Sequence, residues 1–412
     1  MFIGNDVILM NSNMIKAIIS KKIRILARVL SHKYGYDFPQ YQLNNNLDLC
    51  NPTQKKILIC YIPLVNKEID NVTHALLFHA NQIVHYFMNK GYCVDICSCH
   101  PDNAYQYKLI EKKSYDIVFG FGKVYKQYCA RHANCLKILF MTENNPVKVK
   151  ELYNERIKYF KERHPNVDYR MSSVRMEFYD EEMLELSDAL ILMGSKSNKE
   201  SFIRYFDNAI WRINCNIIKN PVFTFDESII EKKIPVSRDC FLWFGSRGLI
   251  HKGLDIVIDA FAEMPELTLN CYGVSETKLF RKLCCPNTIN RGRIDVNSQQ
   301  FIDEVIYRHN FVILDSCSEG MSTAIATCMS HGIIPIVSKE SGLDPQPFIL
   351  ELNGYNVNSI ITMVGKVSTF SDKEILNLRK QCYAYAQNAF SLEKFNNTFS
   401  SIMEECLEYH KK

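Results

Sequence analysis

A carboxylate at a strand end and a lysine about seventy residues before it carry the most chemistry in this 412-residue chain. Glu319 lies in FVILDSCSEGMSTAIATCMSHGIIPIVSKESG, residues 311–342, and Lys252 lies in FLWFGSRGLIHKGLDIVIDAF, residues 241–261. The first segment reads as a strand at 311–314, a loop bearing Ser316, Ser318, Glu319 and Gly320, a helix stopped at Gly332, and a strand at 333–337. That is a βαβ crossover. Open α/β sheets bind ligands at the carboxyl ends of their strands, and the following helix turns free N–H groups to the same place, so a phosphate would be well held there. The plainer reading is a capped helix start, with Ser322 or Thr323 as N-cap and Glu319 in solvent.

The second segment runs from an apolar strand through a Gly-containing loop into an amphipathic helix, and Arg247, His251 and Lys252 cluster in the loop. Two helix starts, two or three cations and one carboxylate suit a molecule with phosphates at one end and hydroxyls at the other. A nucleotide sugar has that shape. The alternative for GSRGLIHKG is an exposed basic turn, since the spacing is neither the GxGxxG fingerprint nor a P-loop.

Together, GLIHKGLDIVIDAF and SEGMSTAIATCMSHGIIPIVS resemble the donor-binding half of glycosyltransferase family 4. That family has the α/β GT-B fold, in which two Rossmann-like, doubly wound parallel-sheet domains face each other across a cleft. The resemblance covers most of residues 55–408 as an architecture, with the distinctive motifs in the second half. It implies that Lys252 binds the donor diphosphate, helped by Arg247, and that Glu319 contacts the donor-sugar hydroxyls. The amides of Gly320, Met321 and Ser322 are then expected near the sugar and distal phosphate. The second glutamate of the family's E-x7-E motif binds the ribose, and this chain has Thr327 there, a hydroxyl without the charge-assisted strength of a carboxylate.

The implied reaction is transfer of a sugar from a nucleotide donor to an acceptor hydroxyl with retention, in surface-polysaccharide or lipopolysaccharide synthesis. Lys252 and the helix amides would stabilise the leaving diphosphate, with no cofactor and no metal, and domain closure would exclude water. Two other readings stay open. One is a nucleotide-sugar epimerase of the same architecture; the other is an inactive scaffold or sugar-binding protein, to which Thr327 points.

The elements that must position these residues fall into four parts. Residues 1–54 form an extension, 55–221 an acceptor-side Rossmann-like domain, 222–385 the donor-binding domain, and 386–412 a C-terminal helix packing back on the first domain. In the first domain KILICYIPL and CVDICS read as strands around a helix at 75–89, with further strands at 116–120, 137–141 and 189–193 and a charged, mostly helical interval at 147–185. Thr142, Glu143 and Asn144 end a strand, so Glu143 is a candidate acceptor-side base, with a solvated loop carboxylate as the alternative. His74 and His79 read as packed or solvated histidines, and Arg170 and Arg175 as surface ion-pair residues or contacts to an anionic acceptor. Asn220 and Pro221 mark a hinge.

In the second domain strands at 241–244, 267–272 and 288–291 alternate with helices at 254–261, 277–283 and 298–308, giving a doubly wound parallel sheet. Arg291 and Arg293 end a strand at the same sheet edge, either lining a nucleotide-base pocket or making a simple turn.

Composition agrees with a soluble, cytoplasmic protein of two to three domains. Apolar residues make up 47% of the chain, enough for two cores, and a net charge of +4 without a basic, aromatic stripe argues against a nucleic-acid partner. Sixteen cysteines without paired C-x-x-C spacing read as buried reduced thiols. No apolar run is long enough to span a bilayer. Residues 14–30, MIKAIISKKIRILARVL, combine apolar residues at helical spacing with Lys16, Lys21, Lys22, Arg24 and Arg28. Such a helix lies on an anionic membrane surface or packs its apolar face on the protein, which leaves open a peripheral place at the inner membrane face. The partners expected are a nucleotide-sugar donor and a glycan or lipid-linked acceptor.

Overall fold

Short apolar runs bounded by glycine and polar turns become parallel strands buried on both faces. The computed structural model describes residues 44–45, 53–62, 75–169, 178–219 and 223–411. The first sheet contains β1 (Asn44–Asn45), β2 (Lys56–Tyr61), β3 (Cys93–Ser98), β4 (Ile117–Gly120), β5 (Leu136–Met141), β6 (Ala189–Met193) and β7 (Ile210–Ile213). Their order is β1-β3-β2-β4-β5-β6-β7, parallel throughout except for β1. The second contains β8 (Cys240–Phe244), β9 (Thr268–Tyr272), β10 (Thr288–Gly292), β11 (Phe311–Leu314), β12 (Ile334–Val337) and β13 (Leu350–Glu351), all parallel, in the order β10-β9-β8-β11-β12-β13.

Strand order reverses between β8 and β11, so the loops after these two strands diverge and leave a crevice at the sheet edge. Those loops carry Lys252 and Glu319.

The strands expected from apolar runs form within a residue or so of the expected positions, except that the strand expected over KILICYIPL ends at Tyr61. The expected helix at 298–308 does not form as one α-helix: Ser298 caps a short turn, Gln299–Phe301, and the chain then widens into a π-helical turn, Ile302–Ile306. There the Tyr307 N–H reaches back to the Ile302 carbonyl at 3.0 Å. Helix Leu392–Tyr409 packs against β7 and helix Ala75–Asn89, stacking Phe395 on His79 and setting Phe399 edge-on to Tyr86 and Phe119. Helix Asp372–Ala389 packs against Glu227–Lys233 and Thr323–Met329.

Most described cysteines are buried free thiols, and β2 and β3 bring Cys60 and Cys97 side by side with sulfurs 3.3 Å apart. Burial pushes the Cys60 thiol well above its ordinary range and Cys99 up to about 12. Cys93, where β3 enters the sheet, is instead disulfide-bonded, so the expectation of reduced thiols fails at that position. The basic segment 14–30, His74, Arg170, Arg175 and the Asn220–Pro221 hinge lie outside the described residues. Among the described residues no helix is long and apolar enough to cross a membrane.

Candidate functional site

The loop after β8 turns through Gly253 into helix Leu254–Ala262. Gly253 has φ +68°, and a Cβ there would stand 2.2 Å from the Asp315 carbonyl oxygen, so only glycine lets this loop lie against the one after β11. Lys252, just before it, is buried, and its Nζ pairs with Glu319 Oε1. Ser316 Oγ donates to the same carboxylate oxygen at 3.2 Å. The Glu319 backbone is fixed on both sides: its N–H donates to the Glu340 carbonyl at 2.8 Å, and its carbonyl accepts from Asn198 Nδ2 of the first domain at 3.0 Å. Glu319 is only 2% exposed, so the reading of a solvated carboxylate does not hold.

Ser322 caps helix Thr323–Met329, its hydroxyl accepting from the Ile325 N–H. Its own amide is engaged, donating to the Ser341 carbonyl at 3.2 Å, which removes it as a free phosphate donor. Met321, Ser322, Thr323 and Ala324 border a cavity of about 700 Å³ that Lys252 and Glu319 share with the first domain. The opposite wall includes Phe121, Phe178, Tyr179, His79, His100 and Glu143. Glu143 follows β5, and its neighbour Thr142 is anchored by Tyr179, whose phenol lies 2.7 Å from Thr142 Oγ1 and accepts the Thr142 N–H at 3.2 Å. Burial pushes the Tyr179 phenol well above its ordinary range, so it stays neutral. At Gly320 the two domains meet backbone to backbone: a Cβ there would stand 2.0 Å from the Thr142 carbonyl oxygen.

Lys252, Glu319, Met321, Ser322 and Glu143 are thus brought to one cavity. Other expected residues are not. Arg247 is exposed at the tip of its loop. Arg291 and Arg293 are exposed beyond the cavity lining, at the end of edge strand β10, where Arg291 Nε donates to Asn270 Oδ1 at 2.8 Å. Thr327 turns back along its own helix, its hydroxyl donating to the Thr323 carbonyl at 2.9 Å. His251, grouped with the cations in sequence, is packed beneath the loop, with Nε2 2.7 Å from the Ser318 carbonyl and Nδ1 3.3 Å from the Cys317 sulfur.

Sequence reasoning missed Glu276, whose Oε1 accepts the Gly248 and Leu249 amides at 2.7 and 3.2 Å and so braces the lysine loop. It also missed Asn198, although Ser195 and Asn198 carry a readable signal, a capping box on helix Lys196–Phe202.

No protein-family model matches this chain, and no curated protein does. Solved structures do match it. The sucrose-phosphate synthase of Thermosynechococcus elongatus superposes with a TM-score of 0.59 at 13% identity, over 86% of this chain and 100% of that one. HepE of Anabaena, solved with UDP and glucose, gives 0.55 at 12% identity, over 85% and 100%. WaaG, a glycosyltransferase involved in lipopolysaccharide biosynthesis, gives 0.53 at 13% identity, over 84% and 99%. The fold is GT-B. In this GT-B chain the cavity lies between the two sheets' domains, on the β8–β11 side where the strand order of the second sheet reverses.

Proposed function

We propose that this chain is a retaining glycosyltransferase that moves a sugar from a nucleotide-sugar donor to a hydroxyl of a glycan or lipid-linked acceptor. One observation carries this reading: Lys252 and Glu319, from two loops at the switch point, meet in a cavity that faces Glu143 across the cleft. Lys252 and Glu319 satisfy each other. Donor binding then exchanges partners, a diphosphate oxygen taking Lys252 and sugar hydroxyls taking Glu319, so neither charge is left buried alone. As the glycosidic bond breaks, Lys252 and the amides at the start of helix Thr323–Met329 stabilise the charge growing on the diphosphate. Glu143, which lines the cavity from the first domain, is our candidate to take the acceptor proton. The chain's own cation does this work without a metal. Solved HepE holds UDP-glucose in this architecture, which supports a nucleotide-sugar donor. A basic segment at 14–30 fits work on a surface glycan from the inner face of a membrane.

The test is nucleoside diphosphate release across a panel of nucleotide sugars, with Lys252→Met and Glu319→Gln chosen to keep side-chain shape. Each is expected to lower turnover at least a hundredfold while circular dichroism is unchanged; full activity in both refutes the assignment. A second reading, a sugar-binding protein without turnover, is favoured by Thr327, whose hydroxyl donates to its own helix and so offers a ribose only acceptor lone pairs where a carboxylate would offer a charge. It predicts nucleotide-sugar binding by calorimetry with no diphosphate release.

A further inference from the structure

Helix Pro146–Arg163 follows β5 of the first sheet and docks on the second domain through residues at helical spacing. Lys148 Nζ lies 3.5 Å from Glu340 Oε1, and the Tyr159 hydroxyl accepts the Val357 N–H at 3.3 Å. Arg163 pairs with Asp255 and Asp259, and His164 Nε2 lies 2.9 Å from Asp259 Oδ2. The centre of this face is Arg156. Its Nη1 donates to Asp315 Oδ2 at 3.2 Å, and its guanidinium lies 5.5 Å from the ring centre of Tyr355. Both side chains of the pair are buried, 2% and 0% exposed.

Arg156 touches both loops of the proposed donor site. Asp315 opens the loop that carries Glu319, and Arg156 Nη1 also stands 2.8 Å from where a Cβ of Gly253, the neighbour of Lys252, would be. A guanidinium and a carboxylate are costly to bury unless they meet, so this arrangement of the loops requires the first-domain helix to be docked.

We propose that Arg156 is a positioning residue: inserted from the first domain against Asp315 and Gly253, it couples domain closure to the placement of Lys252 and Glu319. The donor site is then complete only in the closed molecule. Burial raises the Asp315 carboxyl to about 7 while Arg156 pulls it down and Asp255 and Glu340 push it up, so Arg156 is the group that favours the charged form. The inference rests on the nucleotide-sugar reading for its catalytic meaning, not for its geometry.

Hydrogen–deuterium exchange on the full chain tests it through the Lys252, Cys317 and Glu319 amides, which are bonded to the Gly248, His251 and Glu340 carbonyls at 2.7, 2.8 and 2.8 Å. Arg156→Gln is expected to speed exchange in the peptides covering these amides at least tenfold while β2, β4 and β5 keep their protection. Arg156→Lys, which retains the charge, is expected to restore part of it. Unchanged exchange in Arg156→Gln, or equal loosening of the first sheet, overturns the proposal. Loosened loops in a protein whose wild type binds and turns over no nucleotide sugar would instead overturn the proposed function and leave the coupling standing.

Discussion

At the scale of single residues, the Lys252–Glu319 pair and the contact at Gly320 define the site more sharply than the motif spacing does. Both members of the pair were legible in sequence, because a cation and a carboxylate at the ends of parallel strands are expected at one sheet edge. Their pairing with each other was not, since it depends on how closely two loops approach. Gly320 gives a direct prediction. A Cβ would meet the Thr142 carbonyl oxygen at 2.0 Å, a clash between two backbones that no side-chain rotation relieves. Gly320→Ala should therefore hold the domains apart, lowering turnover more than tenfold and raising the radius of gyration seen by small-angle scattering. Wild-type activity would show that closure tolerates the methyl group. Thr327 shows the opposite limit: its identity was plain in sequence, but its hydroxyl could also have faced the ligand, and only the helix geometry shows it bonded to Thr323.

At the scale of elements, alternation of apolar runs and helical stretches was readable because a strand buried on both faces must be apolar throughout. β7 and β13 were missed: IWRI is mostly half-buried and LE is only two residues long, so neither has a continuous apolar signal. Helix Pro146–Arg163 was legible as helical and charged, yet Lys148, Arg156 and Arg163 look like solvated residues until their partners from the second domain are seen. Helix Leu392–Tyr409 gives the prediction at this scale. Phe399 is buried against Tyr86 and Phe119, so Phe399→Ala should destabilise the first domain by about 3–5 kcal/mol. Urea unfolding followed by circular dichroism reads this, and a midpoint equal to wild type would show that the helix is not holding the sheet.

At the scale of the whole molecule, buried titratable groups set the pH response. Burial lowers His309 and His331 to about 4, whereas an unfolded histidine titrates near about 6.5. A depressed folded value means that stability is fully present above the unfolded value and is lost as pH falls toward the folded one. Between those limits each histidine removes up to about 1.4 kcal/mol per pH unit. Asp315 and Asp255 work the other way, burial raising both carboxyls and so easing the folded state as pH falls, but His164 is lowered by burial as well, so three histidines oppose two carboxyls. Thermal melts should show a lower midpoint at pH 5 than at pH 7, and His331→Gln should narrow that gap; an equal gap in the variant excludes His331 as a source. The sequence by itself determined two doubly wound domains and the strand ends that bear Lys252 and Glu319, because burial periodicity and glycine stops are local properties of the chain. Only the tertiary structure decided that Arg247, Arg291, Arg293 and Thr327 are not among the residues lining the cavity and that Arg156 and Asn198 reach across to the loops bearing Lys252 and Glu319. Those placements come from contacts between residues far apart in the chain, and close approach of two backbones leaves no periodic trace in sequence.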